Sequence, residues 1–304
     1  MRLVPVLFLV LTAAAAQVLA GARGADAREP REPALRSQAA LVLDEDSGQV
    51  LLGKNVQWQA PIASLTKLMT AMVTLDASLD PDELVTITRA DVDRLRGSHS
   101  RLNVGWQVAR DDLLRLALMA SENRAASALA RSYPGGKEAF VQAMNLKAQL
   151  LGMADTRFAD VTGLSSANVS TADDLAKLAR AAHRYPKIGE YSTTTVHTVK
   201  IGRHIFQFGN TNRLTRSSAW DIGLSKTGYI SEAGRCLVMQ VTLAGRAVII
   251  VLLDSWGKYS RIADARRIRK WLELVSGQTA AQRSAMQGAP GSDTATQARR
   301  VGPG

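Results

Sequence analysis

The spacing of apolar residues along the chain changes character twice, from strand-like to helical and back again. Two apolar runs at 39–43 and 50–53 flank Asp44-Glu45-Asp46-Ser47-Gly48, which predicts a hairpin. Over 62–77 the apolar residues recur at 62, 65, 69 and 72, one face of a helix, and 111–120, 124–131 and 138–151 read as further helices. Pro134-Gly135-Gly136 separates the last two. Beyond residue 195 the period shortens again. Short strands are predicted at 196–199 and 205–208, and a strong hairpin over 236–242 and 247–253 turns at Ala244-Gly245. An amphipathic helix over 259–275 closes the pattern. Strands near both ends with helices between them predict an α+β fold, an antiparallel sheet built from both chain ends plus a helical subdomain.

The ends are of a different kind. Residues 1–22 carry Arg2, an apolar run from Leu3 to Leu19 and a closing Ala20-Gly21-Ala22, the form of a secretory signal peptide with cleavage near Ala20 or Ala22. Segments 23–37 and 277–304 are rich in Ala, Arg, Gln, Gly, Ser and Pro without periodicity and read as a flexible linker and a disordered tail. That leaves 38–276 as one folded domain. No other run approaches the roughly 18 apolar residues of a membrane span, so no transmembrane anchor is expected once the leader is removed. The expected location is periplasmic or otherwise extracytoplasmic.

Composition narrows the class. Hydrophobic residues are 46% and charged residues 21%, enough apolar material for a sizeable core. The formal charge of +11 suits an anionic partner such as cell wall, membrane face or nucleic acid. Export and the lack of a recognition motif argue against nucleic acid. Cys236 is the single cysteine, so no intramolecular disulfide can form, and its strand-like surroundings mark it as a small buried hydrophobe.

Several hydrolase signatures are missing: no Gly-x-Ser-x-Gly elbow, no His-Glu-x-x-His helix, no phosphate-binding glycine loop. His99, His183, His197 and His204 are scattered, and neither a metal nor a cofactor is expected. Lysine is the remaining base. Ser64-Leu65-Thr66-Lys67 puts a hydroxyl and an amine on one face of the predicted helix, with Ser64 in its first turn, just after Pro61. A buried lysine beside a second cation can be neutral near working pH and accept the serine proton. The pattern recurs at Ser255-Trp256-Gly257-Lys258, so alone it selects nothing. Ser121-Glu122-Asn123 follows a helix and would serve equally as an ordinary cap, and Ser166-Ala167-Asn168 has the same form. Lys226-Thr227-Gly228 is the third element.

Taken in order, Ser-x-x-Lys, Ser-x-Asn and Lys-Thr-Gly resemble the motif set of penicillin-binding proteins and serine β-lactamases. The segments 61–67 (PIASLTK), 119–126 (MASENRAA), 158–164 (FADVTGL) and 226–236 (KTGYISEAGRC) resemble the low-molecular-mass D-alanyl-D-alanine peptidases, above all their endopeptidase branch. The resemblance implies a β-lactamase/transpeptidase-like fold. It also implies roles: Ser64 as the nucleophile that forms an acyl-enzyme, Lys67 as its proton acceptor, and Ser121 as a relay to the leaving amine. Asn123, Lys226, Thr227 and Gly228 would bind substrate, and the backbone N–H groups of Ser64 and Tyr229 would form the oxyanion hole. The implied partners are peptidoglycan stem peptides, with β-lactams as covalent inhibitors.

Within that superfamily the absence of a Glu-x-x-Leu-Asn segment disfavours a β-lactamase. Carboxypeptidase relatives commonly carry Arg between two asparagines upstream of Lys-Thr-Gly, where Asn210-Thr211-Asn212 has Thr, with Arg213 as a possible substitute. No second β domain or C-terminal anchor fits after Val275. An endopeptidase cutting D-Ala cross-links is therefore expected, with a carboxypeptidase as the alternative. A β-lactamase and a noncatalytic β-lactam or wall sensor stand behind them.

Overall fold

The computed structural model describes residues 30–287. The expected leader at 1–22, the first part of the linker and the end of the tail lie outside them. Strand β1 (Ser37–Asp44) turns into β2 (Val50–Lys54), and β3 (Ala60–Pro61) leads through a 3-10 turn, Ala63–Thr66, into α1 (Lys67–Asp76). Strands β4 (Leu84–Thr86) and β5 (Gln107–Ala109) pair across a long loop, before helices α2 (Arg110–Met119), α3 (Asn123–Arg131) and α4 (Gly136–Leu150). Strand β6 (Val169–Ser170) pairs with β3, and α5 (Ala172–His183) and α6 (Pro186–Thr193) follow. A separate ribbon of β7 (Val196–Ile201) and β8 (His204–Gly209) precedes β9 (Asp221–Ile230), β10 (Gly234–Leu243), β11 (Arg246–Ser255) and α7 (Ser260–Gln287).

The main sheet has the order β2-β1-β11-β10-β9 and is antiparallel throughout. Both chain ends meet in it, Leu41 opposite Val251. Because side chains alternate across a strand, its two faces bury two sets of residues. Leu41, Val238, Ile249, Val251 and Leu253 face the helices, whereas Val42, Leu237, Met239, Ile250 and Leu252 face α7 through Ala265, Ile268 and Leu272. Both faces being covered explains why β10 and β11 read as nearly continuous apolar runs. The turn between them has Ala244 at φ 50° and Gly245 at φ 75°, the positive pair of a type I′ hairpin.

Three expectations differ from what is observed. The strands at 196–201 and 204–209 form a ribbon outside the sheet, packed through Phe206 against Trp106, with ring centres 4.9 Å apart and the planes tilted by 44°. The last helix runs past Val275 to Gln287, through Ala, Gln, Arg and Met residues of good helix propensity where an unstructured tail was expected. At the other end, the N–H groups of Arg36 and Ser37 donate to the Asp264 carboxylate, tying the end of the expected linker to α7. Cys236 is fully buried as expected, and burial pushes its thiol up to about 12.

Candidate active site

Ser64 lies in the 3-10 turn, and α1 begins only at Lys67, so the predicted helix start is shifted by one tight turn. The geometry sharpens the expected pairing, because residues three apart eclipse in a 3-10 helix. Lys67 Nζ donates to Ser64 Oγ at 2.9 Å, to Asn123 Oδ1 at 2.7 Å and to the Thr162 carbonyl at 2.6 Å. An ammonium has three donors and no acceptor, so these contacts saturate it. The neutral amine keeps two donors and one lone pair. Asn123 Oδ1 and Thr162 O can only accept, so the lone pair falls to Ser64, the one partner with a proton to give.

Burial favours that neutral form. Lys67 is completely buried, and desolvation pulls its pKa down to about 8 against the opposing pull of the Asp160 and Glu122 carboxylates. Lys226, almost as buried, is held well below the ordinary ammonium range by burial first and then by the nearby cations Lys67 and Arg261. Two buried like charges oppose each other, so this pair resists carrying both protons.

Ser121 sits between α2 and α3 with φ 56°, a left-handed conformation that is costly for a serine. It does not cap α3. Glu122 does so by accepting from the Arg124 amide at 3.2 Å, which leaves Ser121 Oγ to accept from Lys226 Nζ at 2.9 Å. Thr227 Oγ1 donates to Thr211 Oγ1 at 2.7 Å, and Asn123 Nδ2 donates to Ser98 Oγ at 2.9 Å. Ser64, Lys67 and Asn123 are thus joined directly, as are Ser121 and Lys226.

Close backbone approaches hold these pieces together. Gly228 lies on the edge strand β9 against the serine turn, where an added Cβ would lie 2.9 Å from Ile62 O and 3.3 Å from Ser64 N. Its neighbour Tyr229 is exposed. From the other side comes the 160–163 turn. Gly163, at φ 80°, packs so tightly that a Cβ would come within 1.9 Å of the Ala63 carbonyl oxygen. The Asp160 carboxylate shapes that turn by accepting from Gly163 N at 3.0 Å, Thr162 N at 3.1 Å and Thr162 Oγ1. Buried Asn168 ties it down, accepting from the amides of Ala159 and Asp160 and donating to Thr66 Oγ1 and Asp160 O.

This assigns the two competing motifs. In Ser166-Ala167-Asn168 it is Asn168 that braces the turn, and Ser166 is exposed, away from the buried lysines. Ser255 is buried against Ser37, Oγ to Oγ 2.5 Å, while Lys258 is exposed. Sequence reasoning passed over the Thr162 carbonyl, Asp160, Ser98 and Arg261, whose Nη1 donates to Gly228 O at 2.8 Å. Thr162 and Asp160 fell inside a motif singled out only for its resemblance, and the other two carry no local signal. Arg213, the possible carboxylate ligand, turns instead to the Tyr259 ring, 5.7 Å from its centre. His183 and His197 pair with Glu45 and Asp112, and no cluster of metal-ligating side chains occurs among the described residues.

Comparison with known proteins places this arrangement among relatives. The family model of peptidase S11, described as D-alanyl-D-alanine carboxypeptidase, matches residues 26–257. The chain is 47% identical over 274 residues to a D-alanyl-D-alanine endopeptidase of Pseudomonas aeruginosa, covering 90% of this chain and 88% of the relative. With the Escherichia coli D-alanyl-D-alanine endopeptidase it shares 44% over 254 residues, 83% of this chain and 82% of that one. The crystal structure of the Streptomyces K15 DD-transpeptidase superposes with a TM-score of 0.74 at 30% identity, over 80% of this chain and 98% of that one.

Proposed function

The chain belongs to the peptidase S11 family, the D-alanyl-D-alanine carboxypeptidases, and from that premise we propose that it is a serine D,D-peptidase that cleaves D-alanyl bonds in peptidoglycan, as an endopeptidase on cross-links. The observation that carries the mechanism is the neutral-prone Lys67, fully buried with its lone pair left to Ser64 Oγ. In the forward step the Ser64 O–H proton passes to Lys67 Nζ as Oγ bonds to the D-Ala carbonyl carbon. The carbonyl π electrons move onto oxygen, which the N–H groups of Ser64 and Tyr229 receive. Collapse of that oxyanion expels the amine of the next residue, which takes up the proton Lys67 received, delivered through Ser121, the hydroxyl held by Lys226, so that Lys67 is neutral again. Water then attacks the acyl-enzyme ester by the reverse sequence, freeing Ser64 and a new carboxylate.

The substrate peptide would lie along edge strand β9 by main-chain pairing, as extended ligands do on exposed sheet edges. Gly228 allows the strand to pass against the serine turn, while Thr227 and Asn123 flank the bound chain. The endopeptidase reading rests on Thr211 at the position where an arginine would hold a free terminal carboxylate, and on the names of the two most similar relatives described above. A β-lactamase is disfavoured because the two carboxylates that Lys67 senses are already engaged. Asp160 holds the 160–163 turn and Glu122 caps α3. We further propose a cleaved leader at 1–22 and a linker before a peptidase domain that takes in the expected 38–276, begins with β1 at Ser37 and is extended by α7 to Gln287. The mature enzyme would act outside the cytoplasm.

The test exposes the mature protein and its Ser64→Ala variant to benzylpenicillin, follows intact mass and drug consumption, and then offers cross-linked muropeptides. A lasting adduct on the native protein alone, with cross-links cut, is the expected result. Consumed drug without adduct would make the protein a β-lactamase, and an adduct without any peptide cleavage would make it a sensor.

A further inference from the structure

A cavity of about 680 Å³ opens between the base of the β7–β8 ribbon and the turn leading into β9. Half-buried Trp220 supplies its aromatic surface, Phe208 forming only the buried floor beneath the Arg101 guanidinium, and Thr195, Gln207, Ser217 and Ser218 supply hydroxyl and amide groups. No carboxylate lines it, and its one charged group is Arg216. Several arginines of this fold are held in ion pairs, among them Arg96, Arg110, Arg115, Arg131 and Arg246. Arg216 makes no ion pair or hydrogen bond among the described residues. It lies across the ribbon base instead, with its Nη2 at 3.0 Å from where a Cβ of Gly209 would stand.

The cavity is coupled to the cleft through one short segment. Thr211 accepts from Thr227 at one end of it, and Arg216 closes the 3-10 turn Arg213–Arg216 at the other. Asn212 locks the two together. Its Nδ2 donates to Ser225 Oγ on β9 at 2.9 Å, and its Oδ1 accepts from Leu214 N at 3.0 Å. Six residues, of which four form a 3-10 turn, put the two ends within about 15 Å of each other. The Trp220 ring for the apolar side of a sugar, neutral hydroxyls and amides for its oxygens, and the unpaired Arg216 guanidinium for a carboxylate together describe an acidic glycoconjugate.

We propose that this cavity is a substrate subsite for a carboxylate-bearing, sugar-containing part of peptidoglycan remote from the scissile bond. The proposal rests on the peptidase reading above and adds that Arg216 anchors the glycan-bearing segment. It predicts that the enzyme prefers glycan-linked cross-links to bare peptides, with the preference expressed in KM because the contact is the same before and during bond cleavage.

The experiment compares the native protein with Arg216→Ala, Arg216→Lys and Arg216→Glu on three probes: benzylpenicillin, a sugar-free cross-linked peptide, and the same peptide carrying its disaccharides. Arg216→Ala should raise KM for the sugar-bearing substrate by about 5- to 20-fold with kcat unchanged, the range for a charged hydrogen bond partly exposed to water. Lysine should restore part of the loss, and glutamate should deepen it. Acylation by benzylpenicillin and the sugar-free peptide should be unaffected. Equal losses on both peptides, no loss on either, or loss of penicillin acylation in Arg216→Ala would each overturn the proposal, the last by showing that Arg216 supports the cleft itself. If the native protein is not acylated at Ser64 at all, the peptidase reading fails first. Calorimetric binding of a disaccharide-peptide to Ser64→Ala, unchanged by adding Arg216→Ala, would overturn the subsite independently of turnover.

Discussion

Replacing Gly163 by alanine tests whether the 160–163 turn positions the nucleophile. The new methyl would stand 1.9 Å from Ala63 O, 2.3 Å from Ala63 C and 2.8 Å from Ser64 N, all backbone atoms that cannot swing aside. Ordinary contact begins at 3.4 Å, so the turn and the serine segment must part by about 1.5 Å. The backbone adds its own cost, because φ 80° is left-handed and disfavours any residue with a Cβ by about 1–2 kcal/mol. Overpacking typically costs about 1–3 kcal/mol more. Together these give roughly 2–5 kcal/mol, a fall in melting temperature of roughly 5–15 °C for a domain this size.

Catalysis should suffer beyond that, since the Thr162 carbonyl would retreat from Lys67 and Ser64 would shift. A displacement of about 1 Å commonly costs about 100-fold in rate. Gly152→Ala is the control: its φ of 68° is also left-handed, but no atom lies within 4 Å, so only the backbone cost applies. Stopped-flow acylation by a fluorescent penicillin and thermal melts would be run on both variants. A Gly163→Ala enzyme that acylates within twofold of the native rate would refute the claim that this contact positions Ser64.

The pH dependence of acylation follows from Lys67. Only the neutral amine accepts the serine proton, so with a pKa of about 8 the rate should rise roughly tenfold per unit from pH 6 and level off above 8. Glu122→Gln, which keeps an acceptor for the Arg124 amide but removes a charge that favours protonated Lys67, should move this profile toward acid. A flat profile from pH 6 to 9, or one shifted toward alkali in the variant, would contradict the assignment. Thr211→Arg should place a guanidinium beside Thr227 and raise the release of free D-Ala from a stem pentapeptide, measured against cross-link cleavage; no gain would remove Thr211 as the discriminator. The Cys236 thiol, buried and pushed up to about 12, should react with a disulfide reagent only after unfolding, and fast labelling of native protein would show the core is open there.

The alternating and helical periods placed β1, β2, β10 and β11 of the main sheet and helices α1 to α4 and α7, because each declares a face with its own residues, but they did not place β9, α5 or α6. The same locality limited the rest. Nothing near 196–209 shows that these strands pair only with each other, since sheet membership depends on which edges remain free. Asp160 and Asn168 look like ordinary loop residues until their partners Gly163, Thr162 and Thr66 are brought beside them.

What the sequence determined by itself was the α+β order, the three motifs in succession and the impossibility of an internal disulfide. Between the two Ser-x-x-Lys pairs it favoured Ser64 and Lys67, but only through the resemblance of the segments around them. The tertiary structure supplied the physical ground: Lys67 is fully buried with three hydrogen-bond partners around its amine, whereas Lys258 is exposed and Ser255 is buried against Ser37. The reason is physical. A motif names the atoms available for chemistry, but desolvation and the direction of a lone pair are set by what the fold packs around them, and those neighbours come from far along the chain.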